Sequence, residues 1–195
     1  MWASDVSGVV LAGGLSRRMG RNKALLQIGG LSLVERQVAL LGSRFSEISI
    51  SANDAANYAF LRIPVVPDAF PGKGPLAGLH AAFLRSSREA ILLLACDLPN
   101  VPPELFDVLL REIDGFDAVV PRTADMRSHP MCALYRRSCL RIVERNLSRG
   151  DSRFGSVLED PELNIRWLLP VEGGFQDSDL LNLNTPEDLA RQSES

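Results

Sequence analysis

The 195-residue sequence has three cysteines, two histidines and no long apolar run. Cys96, Cys132 and Cys139 are odd in number and form no C-x-x-C pair. Two of them sit in or beside apolar runs, so buried reduced thiols are expected, as suits the cytosol. So few histidines and cysteines, so scattered, leave no ligand spacing for a structural metal. The longest apolar run, Ala90 to Cys96, is far short of a membrane span. The first residues, Met1-Trp-Ala-Ser-Asp-Val, lack a basic region followed by an apolar stretch, so no secretory signal is read and a cytoplasmic location is expected. Nor is there an excess of positive charge. Lysine and arginine number 21 against 24 acids, a net charge of −3, which argues against a general nucleic-acid or anionic-membrane binder. Internal repeats and low-complexity tracts are absent too.

What is present is an ordinary globular balance, 46% hydrophobic and 23% charged, in a chain of one-domain length. Short apolar runs at Gly8–Ala12, Glu47–Ala52, Ile63–Val66, Ala90–Ala95, Ala118–Pro121, Cys132–Tyr135 and Arg166–Leu169 read as strands. Between them lie amphipathic stretches. Leu31–Ser43 carries Ser32 with Glu35 three residues on, a capping box, and Leu33, Val34, Val38 and Leu41 recur at helical spacing. Leu76–Arg85 follows a Pro-Gly turn, Pro103–Ile113 opens on proline, and the tail from Thr185 has an N-cap threonine followed by proline. Strands alternating with helices predict a single-domain, Rossmann-like three-layer α/β/α sandwich with a mainly parallel sheet. Ligands of such sheets sit beyond the carboxyl ends of the strands, where this sequence places Ala12-Gly13-Gly14, Asn53, Asp68 and Asp97.

The segment Val9-Val-Leu-Ala-Gly13-Gly14-Leu-Ser16-Arg17-Arg18-Met19-Gly20-Arg21-Asn22-Lys23 joins glycines, whose amides approach phosphate oxygens closely, to four cations in seven positions. At ~4 Å and an effective dielectric near 20, each cation–phosphate contact has a gross attraction of about 4 kcal/mol. A flexible glycine turn with solvated arginines is the plainer reading of the same composition. The P-loop spacing fails, since Met19 or Arg18 stands where its second glycine belongs. The dinucleotide fingerprint fails at Leu15.

The pattern Leu11-Ala-Gly-Gly14-x-Ser-x-Arg18-Met-Gly20-x-x-Lys23 resembles the signature loop of nucleotidyltransferases that activate small phosphorylated substrates. It is most similar to that of the molybdenum cofactor guanylyltransferases. The resemblance continues, in the family's order, through Val66-Pro-Asp68, Gly74-Pro-Leu-Ala-Gly78, Cys96-Asp97-Leu-Pro99, His129-Pro130 and Asn182-Leu-Asn184-Thr-Pro-Glu-Asp-Leu189. It implies a nucleotide-diphospho-sugar transferase-like fold, with a nucleotide-binding half at about residues 6–100 and a pterin side at about 101–190. It implies transfer of GMP from GTP to the phosphate of the molybdopterin-type cofactor, dependent on Mg²⁺, with pyrophosphate released. Alternatives are a cytidylyltransferase acting on the same pterin, another small-phosphoester nucleotidyltransferase, or a non-catalytic nucleotide-binding module on the same fold. Such transfer needs alignment and charge stabilisation rather than a general base, because the attacking phosphate is already ionised.

Carried onto this sequence, the resemblance makes Arg18, Lys23 and Asp97 catalytic, with Asp97 the metal ligand. Leu11, Ala12, Gly13, Gly14, Asn53 and Asp68 join Lys23 and Asp97 at the nucleotide. His129, Asn182 and Asn184 fall on the pterin side, where Met131 replaces a threonine that often follows His-Pro in the family. Asn53 capping a helical turn, Asp68 setting a loop, Asp97 capping a turn and Asn184 turning the chain before a helix are the structural alternatives. His80, among Leu79, Ala81 and Ala82, reads as structural. Partners are GTP, the pterin cofactor, and transiently the enzymes that deliver or receive it.

Overall fold

The structure, a computed structural model, describes residues 1–13 and 22–183. Gly14, Arg18, Asn184 and the helix expected from Thr185 lie outside the described residues.

Two strands buried along their whole length lie at the heart of the sheet. Strand β1 (Val6–Leu11) pairs in parallel with β4 (Glu47–Ser51) on one side and β6 (Ala90–Ala95) on the other, and β1 and β6 are buried along their whole length. Strand β5 (Val65–Val66) adds in parallel beyond β4. On the far side come β8 (Cys132–Arg136), β7 (Ala118–Pro121) and β9 (Ile165–Leu168), giving a seven-stranded sheet of order β5-β4-β1-β6-β8-β7-β9. Only β8 runs against its neighbours.

Alternate residues of the central strands face two separate cores, the period-two pattern of a sheet covered on both sides. Val10, Leu92 and Leu94 face α1 (Leu33–Gly42) and α3 (Glu104–Glu112). Val9, Leu11, Ile91 and Leu93 face α2 (Pro75–Arg85), α4 (Leu140–Ser148) and α5 (Phe154–Leu158). A short α6 (Pro170–Gly173) packs beside α3. The result is the three-layer sandwich expected.

Helix α1 begins as the Ser32–Glu35 box requires. The backbone N–H of Glu35 donates to Ser32 Oγ, and that of Ser32 donates to Glu35 Oε2 at 2.7 Å. The stretch before it forms a small hairpin of β2 (Gln27–Ile28) and β3 (Leu31–Ser32). Its two-residue loop needs φ of +58° at Gly29 and +85° at Gly30, values glycine adopts without strain. All three cysteines are free and buried, and burial pushes each thiol up to about 12. His80 is buried too. It is edge-on to Phe70 and 4.0 Å from Glu144 of α4, a packed position. No helix among the described residues is long and apolar enough to cross a membrane.

Candidate active site

The parallel strands β1, β4, β5 and β6 deliver their carboxyl ends to one edge, and backbone hydrogen bonds stitch those ends together. Ala12 and Gly13 both donate N–H to the carbonyl of Ser51, at 3.1 and 3.0 Å, and Cys96 donates to Leu11. Ala52 in turn donates to Val66. A cavity of about 220 Å³ opens there, lined by residues 11–13, 22–24 and 95–97 with Pro75 and Met131.

Helix α2 closes in on this edge through the Gly-Pro-Leu-Ala-Gly block. Gly74 adopts φ +66° and ψ −157°, which only glycine holds easily, and Pro75 opens the helix. One turn on, a Cβ built at Gly78 would lie 2.5 Å from Ser51 Oγ and 2.6 Å from Leu11 Cδ2. The glycine is there because helix and strand ends touch.

Across the cavity, Lys23 Nζ lies 2.9 Å from Asp97 Oδ2, with side chains only 16% and 18% exposed. The Asp97 backbone is held from two directions. Its carbonyl accepts from Leu183 N–H at 2.9 Å, and buried Gln37 of α1 donates to the adjacent Leu98 carbonyl at 2.7 Å. Asn182 Nδ2 approaches Asp97 Oδ2 at 3.3 Å, while Oδ1 is buried without a hydrogen-bond partner among the described residues. A buried, unpaired carboxylate oxygen is costly unless something takes it. Oxygen-seeking Mg²⁺ typically binds one or two carboxylates plus phosphates, so this lone oxygen fits such a cation. No cluster of three or more His, Cys, Asp or Glu side chains suited to a metal exists among the described residues.

A second cavity of about 320 Å³ adjoins the first, lined by Leu98, residues 127–131, Leu181 and Asn182. Met131 lines both, and Asp97, on the wall of the first, is bonded by Asn182 on the wall of the second. His129 is nearly buried, and its backbone N–H donates to Pro121 at 2.9 Å. Burial, then the positive charge of Arg127, lowers its pKa, so the imidazole is neutral near pH 7. Tyr135 donates to the Pro130 carbonyl at 2.7 Å and fixes the His-Pro turn.

The structure thus gathers Leu11, Ala12, Gly13, Lys23 and Asp97 at one cavity and His129 and Asn182 at the other. Asn53 and Asp68 lie on the same edge but bond to each other. Asn53 Nδ2 donates to Asp68 Oδ2 and Asn53 Oδ1 accepts the Asp68 N–H, both at 2.9 Å. This exposed pair ties the ends of β4 and β5, and neither residue lines the 220 Å³ cavity.

Asn22, Tyr58, Gln37 and Met131 were not singled out as site residues by the sequence. Asn22 stood inside the glycine-rich motif, which was read for its glycines and cations. Tyr58 and Gln37 carried no local signal, since each acts across a long sequence separation.

Comparison with known proteins bears on family and fold. The profile of the MobA-like NTP transferase domain matches residues 8–164. A Pelotomaculum thermopropionicum protein named "Probable molybdenum cofactor guanylyltransferase" is 36% identical over 193 residues, covering 96% of this chain and 91% of its own. The molybdenum cofactor guanylyltransferase of Desulfosudis oleivorans is 31% identical over 191 residues, with 95% and 93% covered. The crystal structure of molybdopterin-guanine dinucleotide biosynthesis protein A from Archaeoglobus fulgidus superposes with a TM-score of 0.81 at 27% identity, over 96% of this chain and 97% of that one. In fold alone, the 4-diphosphocytidyl-2C-methyl-D-erythritol synthase of Anaerococcus prevotii is similar too, with a TM-score of 0.74 at 12% identity over 98% of each chain.

Proposed function

The chain belongs to the MobA-like NTP transferase family, and from that premise we propose that it transfers GMP from GTP to the phosphate of the molybdopterin-type cofactor. The observation that carries this reading is the position of Asp97, paired with Lys23 in one cavity and bonded by Asn182 of the adjoining one. One cavity, among the backbone of residues 11–13, takes the triphosphate. The other, beside His129 and Asn182, takes the pterin.

An oxygen of the acceptor phosphate attacks the α-phosphorus of GTP. That P–O bond forms as the bond to the β-phosphate bridging oxygen breaks, and pyrophosphate leaves with the electron pair. No proton need move, which agrees with a site whose one histidine is held neutral. Lys23 and Arg18 neutralise the triphosphate and the departing pyrophosphate, and Gly14 opens the signature loop. A Mg²⁺ ion held by Asp97 would supply further charge at the phosphates. Asp68 and Asn53 offer acceptors to the guanine N1–H and N2–H₂ or to the ribose, once their mutual bond opens. His129, Asn182 and Asn184 orient the pterin. A cytoplasmic location and transient contact with the enzymes that deliver or receive the cofactor belong to the same reading.

The test is purified protein with Mg²⁺, the pterin substrate and GTP, CTP or ATP, followed by pyrophosphate release. Release with GTP alone is expected. Release with CTP alone reassigns the base, and release with none favours a non-catalytic binding module.

A further inference from the structure

Tyr58 is among the largest fully buried side chains, 2% exposed, yet it is polar and lines neither cavity. It sits in the 3-10 segment Ala55–Leu61 that follows β4. Its hydroxyl donates to the Ala12 carbonyl at 2.9 Å and accepts from Asn22 Nδ2 at 3.0 Å. A phenol has one proton to give, so these two bonds fix its direction. The orientation of Asn22 is equally determined. Its Oδ1 accepts the Ala24 N–H at 3.1 Å and caps the 3-10 turn Lys23–Leu25, which leaves the amide nitrogen for Tyr58. Burial raises the phenol's pKa, so it remains a donor throughout the neutral range.

One hydroxyl therefore joins two things the nucleotide must meet at a fixed separation. These are the backbone at Ala12, on the floor of the 220 Å³ cavity, and the turn that starts with Lys23. Residues 12 and 22 stand on either side of the glycine-rich segment, and the Tyr58 hydroxyl bonds to both.

We propose that Tyr58 and Asn22 are positioning residues for the nucleoside triphosphate, holding the Lys23 ammonium and the residue 11–13 backbone at the distance the phosphates require. This rests on the nucleotide-transfer reading of the cavity. Neither side chain needs to touch the reacting atoms.

Tyr58→Phe removes one oxygen and keeps the ring, leaving the Ala12 carbonyl and the Asn22 amide without that partner. With saturating acceptor, the KM for GTP should rise about tenfold, the scale of one lost buried hydrogen bond. The KM for the pterin substrate should be unchanged. Asn22→Ala should do the same, and the double variant should be no worse than the poorer single one, because the two act as a unit. The rise in Tm that GTP gives the wild type should shrink in all three. A purely structural role predicts something else, a lower Tm without ligand and less active protein, with both KM values intact.

That outcome overturns the proposal, as does a Tyr58→Phe KM for GTP within twofold of wild type, or losses that multiply in the double variant. Wild type that binds and turns over no nucleotide overturns the functional reading together with this one. Wild type active with CTP moves the same measurements to CTP.

Discussion

Adding one methyl group at Gly78 should loosen the whole nucleotide edge. In Gly78→Ala the new Cβ would lie 2.5 Å from Ser51 Oγ and 2.6 Å from Leu11 Cδ2, where ordinary contacts begin near 3.4 Å. Neither neighbour has room to retreat, since Ser51 is 3% exposed and Leu11 7%. Overpacking of this kind costs ~1–3 kcal/mol, and two contacts inside 3.0 Å argue for the upper half of that range. Against it stands the helical preference of alanine over glycine, about 1 kcal/mol. The net loss is about 1–2 kcal/mol, which for a chain of this size lowers Tm by about 2–8 °C. Gly42, in the last turn of α1, provides the control. A Cβ there would meet only Ile48 Cδ1 at 3.4 Å, so Gly42→Ala keeps the propensity gain and should raise Tm by up to about 4 °C. Thermal unfolding of the two variants beside wild type is the assay. Because Leu11 lines the 220 Å³ cavity proposed for the triphosphate, the KM for the nucleotide should also rise in Gly78→Ala and not in Gly42→Ala. A Gly78→Ala Tm equal to or above wild type, or equal shifts in both variants, refutes the packing argument.

Asp97→Asn keeps the shape of the side chain but removes its charge, so turnover should fall by about 10²-fold or more. Unchanged Mg²⁺-dependent pyrophosphate release would remove Asp97 from the metal. His80 and His129 both have pKa values lowered by burial, so from about pH 6.5, where unfolded histidine titrates, the unfolded chain binds protons that the folded one refuses. Stability is therefore fully present above that pH and falls as pH drops toward the lowered folded values. A Tm series from pH 8 to about 5 should slope downward below 6.5, and His80→Gln should flatten it. A flat wild-type series contradicts the assignment.

The parts of this site that were readable in advance were those with local causes. The continuous apolar run of β6 announced a strand covered on both faces, and its end led directly to Asp97. Ser32 and Glu35 announced α1 because both halves of the cap lie within four residues. Helix α4 was missed although Ile142, Val143, Asn146 and Leu147 recur on one buried face. It grows out of the 3-10 turn Arg137–Cys139 with no side-chain cap, so nothing marks where it starts. The β2–β3 hairpin was missed because two residues per strand are too few to show alternation. The direction of β8 is invisible in its composition, since a buried strand reads the same both ways. That matters for His129. It precedes its strand instead of following it, so a search beyond strand carboxyl ends passes over it, and only the His-Pro motif pointed there. The mutual bond of Asn53 and Asp68 spans 15 residues and depends on β4 pairing with β5, a tertiary fact.

The reversed strand has a practical consequence for redesign. With β8 antiparallel to β7, the chain leaves the sheet at Pro121 and re-enters it at Cys132 on the same edge, and the intervening residues form one excursion. It is a self-contained loop, closed by the Arg122–Ser128 bridge, turned at Met126 with φ +66°, and moored by Asp177 to the Ala124 amide. It supplies residues 127–131 to the second cavity, yet all but Met131 stay clear of the first. Exchanging that loop between relatives should therefore alter which acceptor is taken while the nucleotide chemistry stays the same, Met131 being the loop's one described residue shared by both cavities.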